Sequence, residues 1–370
     1  MLEHFRTEFD GAGAGYLAAC TGGLPAACSM DALGHDLELW RAGTASPAHY
    51  DESVARSRAA FARIAGVDVD RVAIGSQSSV FAGMIAASVP DGAEVLCVDG
   101  DFSSIIFPFL QHERRGVRVR HVPLSALSDA ISHDTWLVVY SLVQSATGEI
   151  ADATSIRSVA SRVGARVLCD TTQAAGWLPL VPQTADATIC HAYKWLCAPR
   201  GVCFFTVTPD FADELIPLHA GWYAGEDPWT SCYGPSAPLA GSARRFDVSP
   251  AWQAVAGAAP ALELFADADM RAVREHDVEL ADAFAAGLRL ESRGSAIVTW
   301  KDAMGADLRA LTEAGIVASG RAGRARVAFH VWNDESDVDR ALRALGRLAG
   351  KRETVPAGVS AGSRRAVPTH

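Results

Sequence analysis

The chain lacks any long apolar run. Nothing in it approaches the ~18 uncharged residues of a membrane span, so no membrane partner is expected. It also lacks a positive balance: 33 Lys and Arg stand against 43 Asp and Glu, a net charge of -10. Nucleic acid wants a basic face, so it is not expected as a partner either. No two of the eight cysteines have CxxC spacing, which argues against a zinc site, and no metal is expected. Several of them, Cys97, Cys169 and Cys203 among them, fall inside predicted strands and read as reduced core residues of a cytoplasmic protein. The first residues are charged from Glu3 onward, unlike a secretory leader. What remains is 370 residues, 49% hydrophobic and 21% charged, enough for two domains and a large core.

Two neighbouring stretches carry the chemistry. The first is Val167-Leu-Cys-Asp170-Thr-Thr-Gln173-Ala-Ala-Gly-Trp177, an apolar strand that ends on an acid. The second is His191-Ala-Tyr193-Lys194-Trp-Leu-Cys-Ala-Pro-Arg-Gly201, which sets a lysine among aromatic and apolar residues. Each has an ordinary explanation. An Asp at a strand end commonly caps a helix, and a Lys beside rings commonly lies over them at the surface. Together they are the two protein groups that pyridoxal phosphate needs. The acid keeps the ring nitrogen protonated, and the lysine holds the aldehyde as a Schiff base and then moves protons.

The spacing of Asp170, Gln173 and Lys194, with Pro199-Arg-Gly201 before the next strand, resembles the class V aminotransferase family, closest to its kynureninase-like and isopenicillin-epimerase-like branches. The resemblance runs over roughly residues 12 to 350. It implies pyridoxal 5'-phosphate as cofactor and the α/β fold type I of aspartate aminotransferase. That fold has a mostly parallel seven-stranded sheet in a large domain (46–250) and a smaller α+β C-terminal domain (251–350). Residues 1–45 would line the active site and pack on the small domain. Residues 351–370, rich in Gly, Ser, Pro, Arg and Thr without periodicity, read as a disordered tail.

In chain order, the Thr21-Gly22-Gly23 turn would bring backbone close to a bound amino acid, and apolar spacing predicts a helix over 51–65. A strand over 72–74 runs through Gly75 into Gln77-Ser78-Ser79 and a helix. Such a junction can hold an anion on free N–H groups and hydroxyls. The resemblance puts the cofactor phosphate there. After a strand over 94–99, Phe102 matches the aromatic residue that the family stacks on the pyridoxal ring. A strand over 136–143 leads to Ser145, where the family often has Asn beside the cofactor's phenolic oxygen. Helix 152–163 returns the chain to the Asp170 strand. Alternation of strands and helices over 70–210 predicts a mostly parallel sheet with its site at the strands' carboxyl ends.

The resemblance further implies that Gln173 bonds the phenolate oxygen and that Tyr193 reaches the phosphate. His191 would be a phosphate or structural contact. Trp222 and Ser249 would reach the phosphate of the neighbouring subunit, so that a homodimer shares its active sites. In the C-terminal part, a helix is predicted over 272–289, strands over 295–301 and 325–332, and a last helix over 335–349. Arg326 in Arg-Val-Ala-Phe-His330-Val-Trp-Asn333 matches the arginine that holds the substrate carboxylate, with Arg324 an alternative.

The expected reaction acts on an amino acid and is first a lyase cleaving at the β carbon, of C–S lyase or kynureninase-like type. Epimerase or aminotransferase is the alternative, and a non-catalytic cofactor-binding regulator is a further one. Cysteine desulfurases need a nucleophilic cysteine just before the carboxylate-binding arginine. Here that loop is Ala318-Ser-Gly-Arg-Ala-Gly323, and no cysteine follows Cys232, which argues against persulfide chemistry.

Overall fold

The computed structural model describes residues 2–9, 13–235 and 238–347, and the tail read at 351–370 lies outside them. Short runs of continuously apolar residues become strands buried on both faces, as parallel sheets require. The strands are β1 (Val72–Gly75), β2 (Glu94–Val98), β3 (Arg118–Val122), β4 (Thr135–Ser141), β5 (Arg166–Asp170), β6 (Ala187–His191) and β7 (Cys203–Val207). They form one seven-stranded sheet in the order β1-β7-β6-β5-β4-β2-β3. Neighbours pair in parallel from β3 to β6, while β7 runs antiparallel to both β1 and β6. Ser141 pairs with Asp170, and Asp170 with Ile189, so the carboxyl ends of β4, β5 and β6 come level at one edge.

Period-two alternation in β7 shows how the layers form. Phe204 stacks on Phe61 of the Pro47–Ala65 helix at 4.2 Å, on one face. Its neighbour Phe205 stacks on Phe81 of the Ser78–Ser88 helix at 5.1 Å, on the other. The Pro47–Ala65 helix starts four residues before the predicted 51. Pro47 occupies the first turn, where its missing N–H costs nothing.

The C-terminal part is a three-stranded antiparallel sheet, β8 (Ile297–Lys301), β10 (Arg324–Ala328) and β9 (Ser319–Arg321), in that order. Helices Met270–Gly287 and Glu335–Ala344 pack with it. β10 stops at Ala328, short of the expected 332. The chain turns there because the Asn333 side chain takes the His330 N–H at 3.0 Å. The N-terminal segment joins this sheet through bridges of Tyr16 with Val317 and Ala18 with Ala328.

One buried ion pair ties the helical layer to the sheet edge. Arg58 grips both oxygens of Asp247, at 3.1 and 2.7 Å, and Asp247 accepts the Ile74 N–H of β1 at 2.8 Å. Burial pushes the Asp247 carboxyl up despite the arginine, so the pair holds only while both partners are present. Asp247→Ala strands a buried guanidinium and is expected to cost about 3 kcal/mol or more. A lowered urea midpoint at unchanged slope is the measurement; an unchanged midpoint would show the pair to be dispensable.

Candidate active site

Asp170 is the last residue of β5 and is buried. Its Oδ1 takes the Thr172 N–H at 2.8 Å, while the Thr172 hydroxyl takes the His191 N–H at 3.0 Å, so one residue clasps the ends of β5 and β6. Burial raises the Asp170 carboxyl to about 6, against the lowering effect of the Thr172 bonds and of Lys194.

Lys194 is one of three lysines in the chain, with Lys301 and Lys351. It sits in the turn after β6, where its carbonyl accepts the Cys197 N–H at 3.1 Å, and Cys197 holds a left-handed φ of 55°. Its amine is buried, 5.5 Å from the Phe102 ring centre and 5.6 Å from that of Tyr193. Burial lowers it to about 8; Asp170 opposes the shift, and Arg326 and Arg321 add to it. A lysine poised there has enough neutral amine near neutral pH to attack a carbonyl.

The remaining wall assembles from separate elements. Asp101 pins the Phe102 loop by accepting from the Phe102 N–H, from the Ser141 N–H at 2.7 Å and from Gln144 at 3.0 Å. Gln173 is locked: its amide N–H groups go to the Cys20 carbonyl at 2.9 Å and the Ser145 hydroxyl at 3.2 Å, and its oxygen accepts from Trp195 at 2.8 Å. Arg326 enters the cavity almost wholly buried. It donates to the Ser319 and Ser145 hydroxyls, at 3.1 and 2.9 Å, and to the Thr21 hydroxyl at 3.0 Å. Arg324 instead donates to Thr299 and lines a separate cleft beside β8.

Together Cys20, Thr21, Phe102, Ser145, Tyr193, Lys194 and Arg326 line a cavity of about 460 Å³, joined by Asp101, Arg200 and Arg321. His191 lies edge-on to Tyr193 at 4.5 Å, and its Nε2 is buried without a hydrogen-bond partner. Burial, with Arg200 and Lys194 nearby, lowers it to about 4, so the ring is neutral.

Several expected positions fall elsewhere. Gly22 and Gly23 are not among the lining residues, and the close approach at Gly23 is to the lysine turn: a Cβ there would meet the Lys194 carbonyl at 2.1 Å. Ser78 is buried and Gln77 exposed at the start of the Ser78–Ser88 helix. Ser79 borders a neighbouring depression that shares Ser103 with the cavity. Trp222 packs with Tyr223 and Trp229, and Ser249 is exposed; neither lines the cavity. Sequence reading missed Thr21, Asp101, Arg200, Ser319 and Arg321. It argued against persulfide chemistry from the 318–323 loop and the absence of a cysteine after Cys232; Cys20 enters this cavity from the N-terminal segment.

The wall fits pyridoxal phosphate. The wall's buried amine feels the buried Asp170 carboxyl behind it, an aromatic ring lies 5.5 Å from that amine, and His191, packed against the wall residue Tyr193, has an orphaned ring nitrogen. The volume lies in the range of small-molecule sites. Among the described residues no cluster of His, Cys, Asp or Glu could hold a metal, and no helix is long and apolar enough to cross a membrane.

Comparison with known proteins agrees with this geometry. Residues 56–303 match the family model of the class-V aminotransferases. A kynureninase from Deinococcus radiodurans is 28% identical over 308 residues, 76% of this chain and 73% of that protein. An isopenicillin N epimerase from Streptomyces clavuligerus is 29% identical over 185 residues, 45% of this chain and 46% of that protein. In fold, the cystine C-S lyase C-DES, solved with cysteine persulfide, superposes with a TM-score of 0.81 at 22% identity, covering 91% of this chain and 98% of that one.

The raised Asp170 pKa has a sign that can be measured in the cofactor-free protein. A folded-state value near 6, above the ordinary 3.8, means that stability is lost as pH rises through this window. Asp170→Asn is therefore expected to be more stable than the parent above about pH 6, by roughly 1–3 kcal/mol, with the gap closing below about pH 4. Urea titrations at the two pH values decide it. A gap that does not change with pH would refute the assignment.

Proposed function

The chain belongs to the class-V aminotransferase family of pyridoxal-phosphate enzymes, and from that premise we propose that it cleaves a bond at the β carbon of an amino acid. The observation that carries the reading is Lys194 and Arg326 opening on one cavity, with Asp170 buried close enough behind the lysine to act on its charge. When bound, the cofactor supplies an aldehyde that captures amines and a protonated ring that draws electrons from the α carbon.

The protein's own groups then have distinct tasks. Asp170 holds the proton on the ring nitrogen, for which its buried carboxyl is well placed. Lys194 holds the aldehyde at rest, and its Nζ removes the α proton once displaced, a step suited to an amine lowered to about 8. Arg326 binds the α-carboxylate. Its guanidinium has only neutral acceptors around it, leaving its charge for an incoming anion. Phe102 covers a ring face, and Gln173 with Ser145 fixes the oxygen-bearing edge. Tyr193 and Arg200 on the cavity wall, with His191 behind them, serve the phosphate, and Ser79, at the helix start bordering the adjoining depression, marks the direction in which Gln77 and Ser78 would join them.

Likeness to a kynureninase over three quarters of the chain favours cleavage at the β carbon. The shorter match to an isopenicillin N epimerase favours epimerisation as the second reading. A homodimer completes the proposal. Residues 216–239 expose Ile216, Leu218, Trp229, Tyr233 and Leu239, an apolar surface that a second copy would cover, and Trp222 and Ser249 would then approach the neighbour's phosphate. Eight unpaired cysteines suit a reducing cytoplasm.

Borohydride reduction of the loaded enzyme is expected to fix the cofactor on Lys194. With three lysines in the chain, peptide mass spectrometry identifies the site without ambiguity. Attachment at Lys301 would sink the reading. Arg326→Gln should lower kcat/KM by roughly a hundredfold, mainly through KM. A panel of amino acids scored for β-cleavage products against racemised substrate chooses between lyase and epimerase.

A further inference from the structure

The cavity wall carries one acid and four cations. The acid, Asp101, is spent: its oxygens are occupied by Phe102, Ser141 and Gln144. The cations are Lys194, Arg200, Arg321 and Arg326. Elsewhere arginines such as Arg58, Arg120, Arg157, Arg166 and Arg245 pair with carboxylates. Among the described residues the three cavity arginines do not. Arg326 meets only hydroxyls and a carbonyl, Arg321 only the Gly320 carbonyl, and Arg200 the face of Tyr193 at 5.3 Å. Three unpaired guanidiniums at one cavity, in a chain of net charge -10, mark it as a receptor for anions.

The positions sort the arginines. Arg200 lies over the Tyr193 ring and, of the three, is the one that acts on His191, the side given to the cofactor phosphate. Arg326 is the buried one and takes the α-carboxylate. Arg321 is left over, and it is exposed at the mouth. It ends β9, before a two-residue turn in which Ala322 and Gly323 both hold left-handed φ, 49° and 72°. Arg321 pairs with Arg324, and Arg326 with Ser319, so Arg321 and Arg326 project from one face of the hairpin as diagonal neighbours. Such neighbours stand about 7–8 Å apart at their bases, within reach of one molecule with an anion at each end.

We propose that the substrate is an amino acid whose side chain ends in an anionic group, and that Arg321 is the residue that selects it. The inference rests on the reading above that Arg326 takes the α-carboxylate. Carboxylate, sulfonate and phosphoryl ends share the chemistry that a guanidinium recognises. The position is set by a strained, short turn rather than by a mobile arm, so the second anion is read at a fixed distance from the first.

Non-reacting probes separate this claim from the one beneath it. In calorimetric titrations of the loaded enzyme, glutarate is expected to bind at least about tenfold tighter than butyrate, which has the same carbon skeleton save for one carboxylate. Arg321→Gln should bring the two within about threefold, Arg321→Lys should keep most of the difference, and Arg326→Gln should weaken both. 3-Phosphonopropionate binding tighter than glutarate would assign a phosphoryl end; the reverse order would assign a carboxylate. Equal binding of glutarate and butyrate, both still lost in Arg326→Gln, would overturn the role of Arg321 and leave that of Arg326 standing. No binding of either would overturn both.

Discussion

The candidate site depends on the burial of two opposite ionisable groups within electrostatic reach of each other at the carboxyl edge of a parallel sheet. Water is excluded from Asp170 and Lys194, so each is driven toward its neutral form, the carboxyl up to about 6 and the amine down to about 8. Their mutual attraction opposes both shifts and keeps the charged pair accessible. Everything nearby serves that balance. The Thr172 clasp joins the two strand ends, the paired apolar layers of Phe204 and Phe205 hold the sheet, and Gly23 makes room for the lysine's carbonyl.

Legibility followed the physics of each signal. β5 was readable because a short apolar run, Val167 to Cys169, ending on an acid has few other uses, and that acid lies close enough to the later lysine to act on its charge. β3 was not, because it is an edge strand, Arg-Val-Arg-His-Val, in which no residue is fully buried. β9 was read as loop because three residues carry no periodicity. Arg324 and Arg326 could not be separated, since two residues apart on a strand they share a face; only their places along the hairpin send them to different cavities. Asp101 and Thr21 escaped notice because their partners lie far along the chain.

Strain is concentrated where the geometry must be fixed. Of the described non-glycine residues, Cys197, Arg289 and Ala322 hold positive φ. One follows the lysine within its own turn, and another forms the hairpin tip beside Arg321. A left-handed residue with a side chain costs roughly 1–2 kcal/mol, and folds keep such a cost only where packing over-determines the backbone. Ala322 lines the cavity and Cys197 closes the turn of a lysine that does, so two of the three fix backbone beside the candidate site.

His330 belongs to the C-terminal part yet reaches across it. Its ring nitrogens face the Asp277 carboxylate at 3.0 Å and the carbonyl of Trp195 at 2.9 Å, the residue directly after Lys194. The backbone directly after Lys194 is therefore moored to the part of the chain that also supplies Arg326. Any displacement of the C-terminal sheet would then pull on the backbone beside Lys194 as well as on Arg326, so the two cannot move independently of each other.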